Sequence, residues 1–379
     1  MTRRGSRFWN RGWAGRWLAR PGRSRWRGGR LGPRIVAIGG GTGLSTMLRG
    51  LKQHSSELTA VVSVGDDGGS SGRLRTAFGI APPGDVRNCI GALSQADPVA
   101  EQLFQYRFAT GGELDGDSLG NLMLAALTDL TGDFRAAIQE VSRLLRVRGR
   151  VLPVHDEKLA LVATHTDGTK STGEAQISAA RRPIARLELR PRPTALATDI
   201  RDAITAADLV VLGPGSLFTS VIPPLLVPGM KEALLQTEAQ IMYVCNVMTQ
   251  PGETDQYSVA AHAKAIEAHT APGLLDVVVA NEQPVEEKLA RRYEAHGQEP
   301  VALESGADWS LRAAVASAAL VSATEVVRHD PDALSTLLLS LARRPARRPR
   351  LPWRRHAGST TVRRVGDLVA TLRPPAPTK

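Results

Sequence analysis

Twice along this chain a short aliphatic run stops in glycine and passes straight into a helical pattern. The first is Arg34-Ile35-Val36-Ala37-Ile38, followed by Gly39-Gly40-Gly41-Thr42-Gly43-Leu44. The second is Leu209 to Leu212, followed by Gly213-Pro214-Gly215-Ser216. A buried strand handed to a helix by small residues is the repeating unit of an α/β sheet. The rest of the chain keeps that alternation. A strand over Leu58 to Val64 ends at Gly65-Asp66-Asp67, and helical patterns run from Arg87 to Leu145 with Gly149 as a stop signal. Helix 195–206, strand 241–245, helix 257–269, strand 274–280 and helix 284–293 complete it. This predicts an α/β fold with a mainly parallel sheet covered on both faces. Residues 150–190 break the pattern. Leu159 to Thr166, the Asp167-Gly168 turn, Thr169 to Gly173 and Ile184 to Leu189 read as a small antiparallel hairpin insertion.

The ends differ from the middle. Residues 1–33 hold ten Arg and no acid, and 341–379 hold ten Arg and one Lys against Asp367. Removing them from the totals of 48 and 37 leaves 27 basic and 36 acidic residues in 34–340, a net of −9. The net charge of +11 therefore belongs to the tails and does not mark the folded part as a nucleic-acid binder. Residues 1–33 are expected to be a disordered Arg/Trp-rich extension, and 331–379 a short helix and then a disordered basic tail. Such tails suit contact with anionic membrane or nucleic acid. Between them lies one domain, 34–330. The chain has no apolar run of membrane-spanning length and no secretory pattern, and Cys89 and Cys245 lack metal-type spacing. A cytoplasmic location is expected.

In an open parallel sheet the ligand lies beyond the carboxyl ends of the strands. The candidate residues are therefore those that follow the strands. Gly39, Gly40, Gly41, Thr42 and Gly43 let backbone approach an anion at a helix start. They match neither a strict dinucleotide fingerprint nor a P-loop. Asp66 and Asp67 can bond ribose hydroxyls or hold a divalent cation, while Gly68, Ser70 and Ser71 either join them or cap the next helix. Asp85 reads as the N-cap of a helix that Arg87 and Asn88 open, where Arg87 can fork onto phosphate or pair with Asp85. Asp117 or Ser118 can cap a helix whose first turn carries Asn121. Gly213, Pro214, Gly215 and Ser216 form the second glycine turn. Beyond Cys245, the residues Asn246, Thr249 and Gln250 can read a base or sugar, and Tyr257 can stack. No nucleophile–base pair is apparent, so these residues suit binding better than covalent catalysis.

Taken together and in this order, several motifs closely resemble the gluconeogenesis-factor (YvcK) family. They are Ile35 to Leu44, Gly65 to Gly72, Pro82-Pro-Gly-Asp-Val-Arg-Asn88, Glu101 to Phe108, Ser118-Leu-Gly-Asn121, Leu212 to Val221 and Asn246 to Asp255. The resemblance implies a Rossmann-like α/β three-layer sandwich and binding of UDP-sugars such as UDP-N-acetylglucosamine; with no catalytic pair evident, this reads as a regulatory, non-catalytic protein. It also implies roles in cell shape, peptidoglycan synthesis and growth on gluconeogenic carbon, with cell-wall synthesis proteins as partners and self-association left open. Carried over by motif, Gly39 to Gly43, Asp66–Asp67, Gly213 to Ser216 and Asn246 to Tyr257 would line the ligand site. Tyr257 would contact the sugar nucleotide, and Arg291 or Arg292 would contribute. The same superfamily includes 2-phospho-L-lactate transferase of deazaflavin coenzyme synthesis, which would use Mg2+ at Asp66 and Asp67. That branch carries a Ser-Pro-Ile segment where this chain has Asn246-Val-Met-Thr-Gln250.

Overall fold

The aliphatic runs do lie side by side in one sheet. The computed structural model describes residues 32–65, 68–109, 111–156, 159–303, 311–322, 326–342 and the backbone of 362–364. The expectations for 1–31, for Asp66 and Asp67, and for most of the C-terminal tail lie outside the described residues.

The first half contains β1 (Ile35–Gly39), α1 (Gly41–Leu51), β2 (Leu58–Val62), α2 (Gly69–Phe78), α3 (Gly84–Leu93), α4 (Pro98–Gln105), α5 (Leu119–Thr131), α6 (Phe134–Leu144) and β3 (Arg150–Pro153). Next come β4 (Ala160–His165), β5 (Lys170–Thr172), α7 (Glu174–Ala180), β6 (Ile184–Arg190), α8 (Thr198–Ala206) and β7 (Leu209–Leu212). A π-helical turn (Leu217–Val221) leads into α9 (Ile222–Leu225), α10 (Met230–Gln236), β8 (Gln240–Val244) and α11 (Val259–His269). The chain continues through β9 (Val277–Asn281), α12 (Glu287–Glu294), β10 (Ala314–Ala318), α13 (Pro331–Leu341) and β11 (Val362–Arg364).

The main sheet has eight strands in the order β11-β10-β9-β8-β7-β1-β2-β3. Every neighbouring pair is parallel. β1, β2, β7 and β8 are buried along their whole length, as a sheet covered on both faces requires. From β1 the chain builds outward to β2 and β3. It then returns to the other side of β1 with β7 and builds the opposite way. Right-handed crossovers consequently place the two sets of connecting helices on opposite faces. α1 packs on α3 and α13, while α10 packs on α8 and α9. The reversal between β1 and β7 opens a crevice at their carboxyl ends.

The sequence reading needs two corrections. β3 is not part of the 150–190 insertion. It is the edge strand of the main sheet, with Thr59↔Arg150 in register, and its Val151 and Leu152 are buried. A run of four residues carries no signal of which sheet it joins. The insertion proper is a three-stranded antiparallel sheet, β5-β4-β6, with the short helix α7 between β5 and β6 where only strands were expected. The second correction concerns the C-terminal tail. The backbone of Val362–Arg364 pairs parallel with β10, giving a strand where none was expected. The β-branched Val362 heads this strand along the open edge of β10.

Candidate functional site

The two glycine turns meet backbone to backbone at the β1/β7 reversal. A Cβ built on Gly43 would stand 2.6 Å from the Pro214 carbonyl oxygen, and one on Gly215 would stand 2.8 Å from the Gly40 carbonyl oxygen. A Cβ on Gly39 would meet the Gly213 Cα at 3.6 Å, an ordinary contact. At Gly43 and Gly215 no side chain larger than hydrogen fits between the turns, so these glycines are there for close approach. Gly41 and Gly213 add left-handed φ values of +70° and +72°. Thr42 is exposed on the first turn of α1, and its carbonyl accepts from the Ser45 and Thr46 hydroxyls.

α1 begins at Gly40, α2 at Gly68 and α3 at Pro83, each without a side-chain cap. Their first amides are thus not bound by a capping side chain. By contrast, α4, α5, α6, α11 and α13 start on an Asp or Ser that accepts from their own amides. Uncapped starts also occur away from the crevice, at α8 and α10, so position gives the crevice starts their meaning. The second glycine turn does not feed an ordinary helix. Ser216 leads into the five-residue π turn and then the four-residue α9, which contains Pro223 and Pro224. It contributes a shaped wall rather than a second long helix dipole.

The turn beyond β8 is fastened to this wall. Asn246 Oδ1 accepts from the Gly215 amide at 3.2 Å, and Gln250 Nε2 donates to Ser216 Oγ at 2.6 Å. Asn246 and Gln250 are joined by a 3.4 Å contact. Tyr257 is half-buried, with its ring edge-on to Phe218 of the π turn at 6.1 Å and to His262 at 5.5 Å. Burial raises the Tyr257 hydroxyl above its ordinary range, so it stays a neutral donor. Thr249 behaves differently from the expectation. It is buried, its Oγ1 accepts from the Glu299 amide at 2.9 Å, and its own amide bonds the Glu299 carbonyl, so it anchors the loop from behind.

The remaining candidates form groups of their own. Ser70 and Ser71 are buried at the start of α2, and Asn121 Nδ2 donates to Ser70 Oγ at 3.2 Å. Ser118 caps α5, and the buried Asp117 is held by Arg73 at 2.6 Å. Arg87 is buried in α3 and donates to Asn88 Oδ1 at 2.6 Å, which makes it a brace for Asn88. Arg291 pairs with Glu287 along α12, and Arg292 lies over the Tyr293 ring at 5.9 Å.

Sequence reasoning missed one crevice residue. A Cβ on Gly40 would fall 2.3 Å from Asp85 Oδ2 and 3.3 Å from both Ser63 Cβ and Ser220 Cβ. The carboxylate of Asp85 therefore overhangs the first glycine turn, with a hydroxyl-bearing residue on either side. Asp85 sits in the first turn of α3 and not at its cap. The signal was present in Gly84-Asp-Val-Arg-Asn88, but capping was the more economical reading of an Asp before a helical run.

With this geometry in place, the comparisons with known proteins are specific. Residues 35–321 match the family model described as 2-phospho-L-lactate transferase CofD. The gluconeogenesis factor of Bacillus subtilis (strain 168) is 44% identical over 310 residues, covering 82% of this chain and 98% of that protein. The chain belongs to the YvcK/CofD-like family. The gluconeogenesis factor of Halalkalibacterium halodurans is 45% identical over 306 residues, 80% of this chain and 95% of that one. A crystal structure of a Bacillus halodurans protein superposes with a TM-score of 0.79 at 45% identity, covering 81% of this chain and 99% of the other. The parallel sheet with its small antiparallel companion is thus the family fold. No helix among the described residues is long and apolar enough to cross a membrane.

Proposed function

We propose that this family member binds a UDP-sugar, of the UDP-N-acetylglucosamine type, at the β1/β7 crevice. In this reading it acts as a regulator of cell shape and peptidoglycan synthesis during growth on gluconeogenic carbon, in the cytoplasm, through cell-wall synthesis proteins. The observation that carries the reading is the interlocked pair of glycine turns. They bring the uncapped start of α1, the Gly215 amide and the Asn246–Gln250 side chains to one reversal point, where a diphosphate and a polar ring can be held together. Tyr257 supplies a ring face and a neutral hydroxyl for the sugar nucleotide. The relatives named gluconeogenesis factors support the physiological part. Titration calorimetry with UDP-N-acetylglucosamine tests it. Wild type is expected to bind, and Tyr257→Ala to bind about tenfold more weakly, the scale of one lost aromatic contact. Absence of wild-type heat at millimolar ligand would remove the proposal.

One observation favours a second reading. The Asp85 carboxylate overhangs the glycine turn where a transferred group would lie, and the matching family model carries a transferase name. A magnesium-dependent phospholactate transferase would need more oxygen ligands around Asp85, and Asp66 and Asp67 are the sequence candidates for them. Among the described residues no three His, Cys, Asp or Glu side chains converge, so no step is derived through a metal. Release of a nucleoside monophosphate from a phospholactyl donor, with a deazaflavin acceptor and magnesium, would establish this reading in place of the first.

A further inference from the structure

The crevice leaves one sequence motif without a task. Glu101 to Phe108 forms the second half of α4 and the turn after it, and α4 buries only Phe104. A Cβ on Gly120 of α5 would meet the Phe104 ring at 2.9 Å, so that side of α4 is closed. The other side is bare. Val99, Leu103 and Tyr106 stand at i, i+4 and i+7, one face of a helix, and are 62%, 53% and 50% exposed. The half-buried Phe108 ring lies edge-on to Tyr106 at 5.2 Å and extends the patch. With Leu114, four of the nine large apolar side chains left exposed among the described residues fall within 99–114. Apolar side chains gathered in this way mark a surface that something covers. The stretch is also acidic. Residues 95–118 hold Asp97, Glu101, Glu113, Asp115 and Asp117 against Arg107, a net of −4. Arg73 offsets Asp117, while Asp97, Glu113 and Asp115 are exposed.

We propose that the segment 1–31 docks on this face of α4 through Trp9, Trp13 and Trp17. The segment carries ten Arg and no acid. Its three Trp recur at every fourth position, with Arg7, Arg11, Arg16 and Arg20 among them. That spacing lines up side chains on one side of a helical turn, as it does for Val99 and Leu103. With few aliphatics the segment cannot build a core alone, and it gains order only against a surface that supplies the apolar contact. α4 supplies an apolar stripe of the same period and acids for the Arg side chains. The place of entry fits as well. Ser55 Oγ donates to the Pro33 carbonyl at 2.7 Å, so the chain enters the fold beside the end of α1. At that same end Lys52 Nζ donates to the Ser94 carbonyl at 2.9 Å, three residues before Asp97 caps α4. The 15 residues from Trp17 to Gly32 reach at most about 50 Å and hold the segment at an effective concentration on the order of millimolar.

The same observations weigh against other occupants. The C-terminal tail is as basic, but its single Trp353 gives no stripe. A second copy shares the net charge of +11 and is repelled, and the acids around α4 repel an anionic membrane or a nucleic acid.

All six Trp lie outside the described residues, so Trp fluorescence of the full chain reports on the outlying segments alone. The variant Val99→Lys/Leu103→Lys removes the stripe, adds charge that repels Arg, and alters only exposed positions. Acrylamide quenching is expected to be about twofold weaker in wild type than in this variant, since three of the six Trp are withdrawn from solvent. The reciprocal measurement is hydrogen–deuterium exchange of the peptide 98–106. It is expected to be roughly tenfold slower in wild type than in Trp9→Ala/Trp13→Ala/Trp17→Ala. Equal quenching of wild type and the α4 variant, or equal exchange in wild type and the Trp variant, would overturn the proposal. A difference lost on dilution would assign the face to a second copy and overturn it too. Phosphatidylglycerol vesicles provide the competing surface. If they shield the Trp side chains while wild type and the α4 variant behave alike without them, the segment is a membrane anchor and the docking site falls.

Discussion

Gly43→Ala sets two local effects against each other, and the structure decides which wins. Gly43 is the third residue of α1, where φ is helical, so alanine should favour the helix by about 1 kcal/mol. The added Cβ, however, meets the opposite turn at 2.6 Å from the Pro214 oxygen, 2.9 Å from its carbonyl carbon and 3.2 Å from the Gly215 nitrogen. The shortest of these is 0.8 Å inside the 3.4 Å at which ordinary contact begins, and all three atoms are backbone. Relief requires the two turns to separate, not a side chain to rotate. Overpacking of this kind costs about 3 kcal/mol. The net expectation is a loss of about 2 kcal/mol, a fall in Tm of about 5 °C, and weakened nucleotide-sugar binding because the Gly215 amide moves with its turn. Differential scanning calorimetry and ligand titration read both. A Gly43→Ala protein as stable as wild type, or more so, would mean that the turns do not share a floor, and the crevice would lose its physical basis.

Three other predictions concern stability. His262 and His329 are buried, and burial lowers both from 6.5 to about 4. The unfolded chain takes up their protons below 6.5, so stability is intact above that pH and declines as pH falls toward 4, by about 2 kcal/mol per residue at pH 5. The buried Glu253 acts with the opposite sign, losing stability as pH rises toward 7. The measurement is therefore the difference between wild type and His329→Gln in denaturant titrations at pH 7.5 and 5. Equal slopes in the two proteins would refute it. Arg73→Ala strips the partner from the Asp117 carboxylate, which is 8% exposed, while Arg73 itself is 52% exposed. A loss of about 1 kcal/mol is expected after screening. Arg143→Ala, at the exposed pair with Glu140, should leave Tm unchanged.

How far the molecule can be read from its sequence depends on the range of the forces involved. β1 and β7 were legible because four or five consecutive aliphatics ending in glycine admit almost no other reading. The family motifs marked both glycine turns and the Asn246–Tyr257 loop. β3 was misplaced because membership of a sheet is decided by pairing with Thr59 to Val62, about ninety residues away in sequence. The π turn was invisible because it arises where Ser216 accepts from both Ser220 and Val221, a choice set by packing of Phe218 and Val221 in the core. Asp85 was read as a cap because nothing local shows that its carboxylate overhangs Gly40.

The distribution of side chains around the crevice also bears on what it does. Its floor is backbone, and Gly43 and Gly215 there cannot be replaced without parting the turns. Its rim is amide and hydroxyl, from Asn246, Gln250, Ser216 and Tyr257. The Asp85 carboxylate overhangs Gly40. A site built for covalent chemistry would place a nucleophile beside a base held by a third group. The acid most perturbed in this region, Glu253, faces away from the glycine floor, toward Ser178 of the insertion. Burial there raises its proton affinity where it fastens one part of the molecule to another. That division sets the amide and hydroxyl rim on one side of the 246–257 loop and a buried acid, bonded to the insertion, on the other.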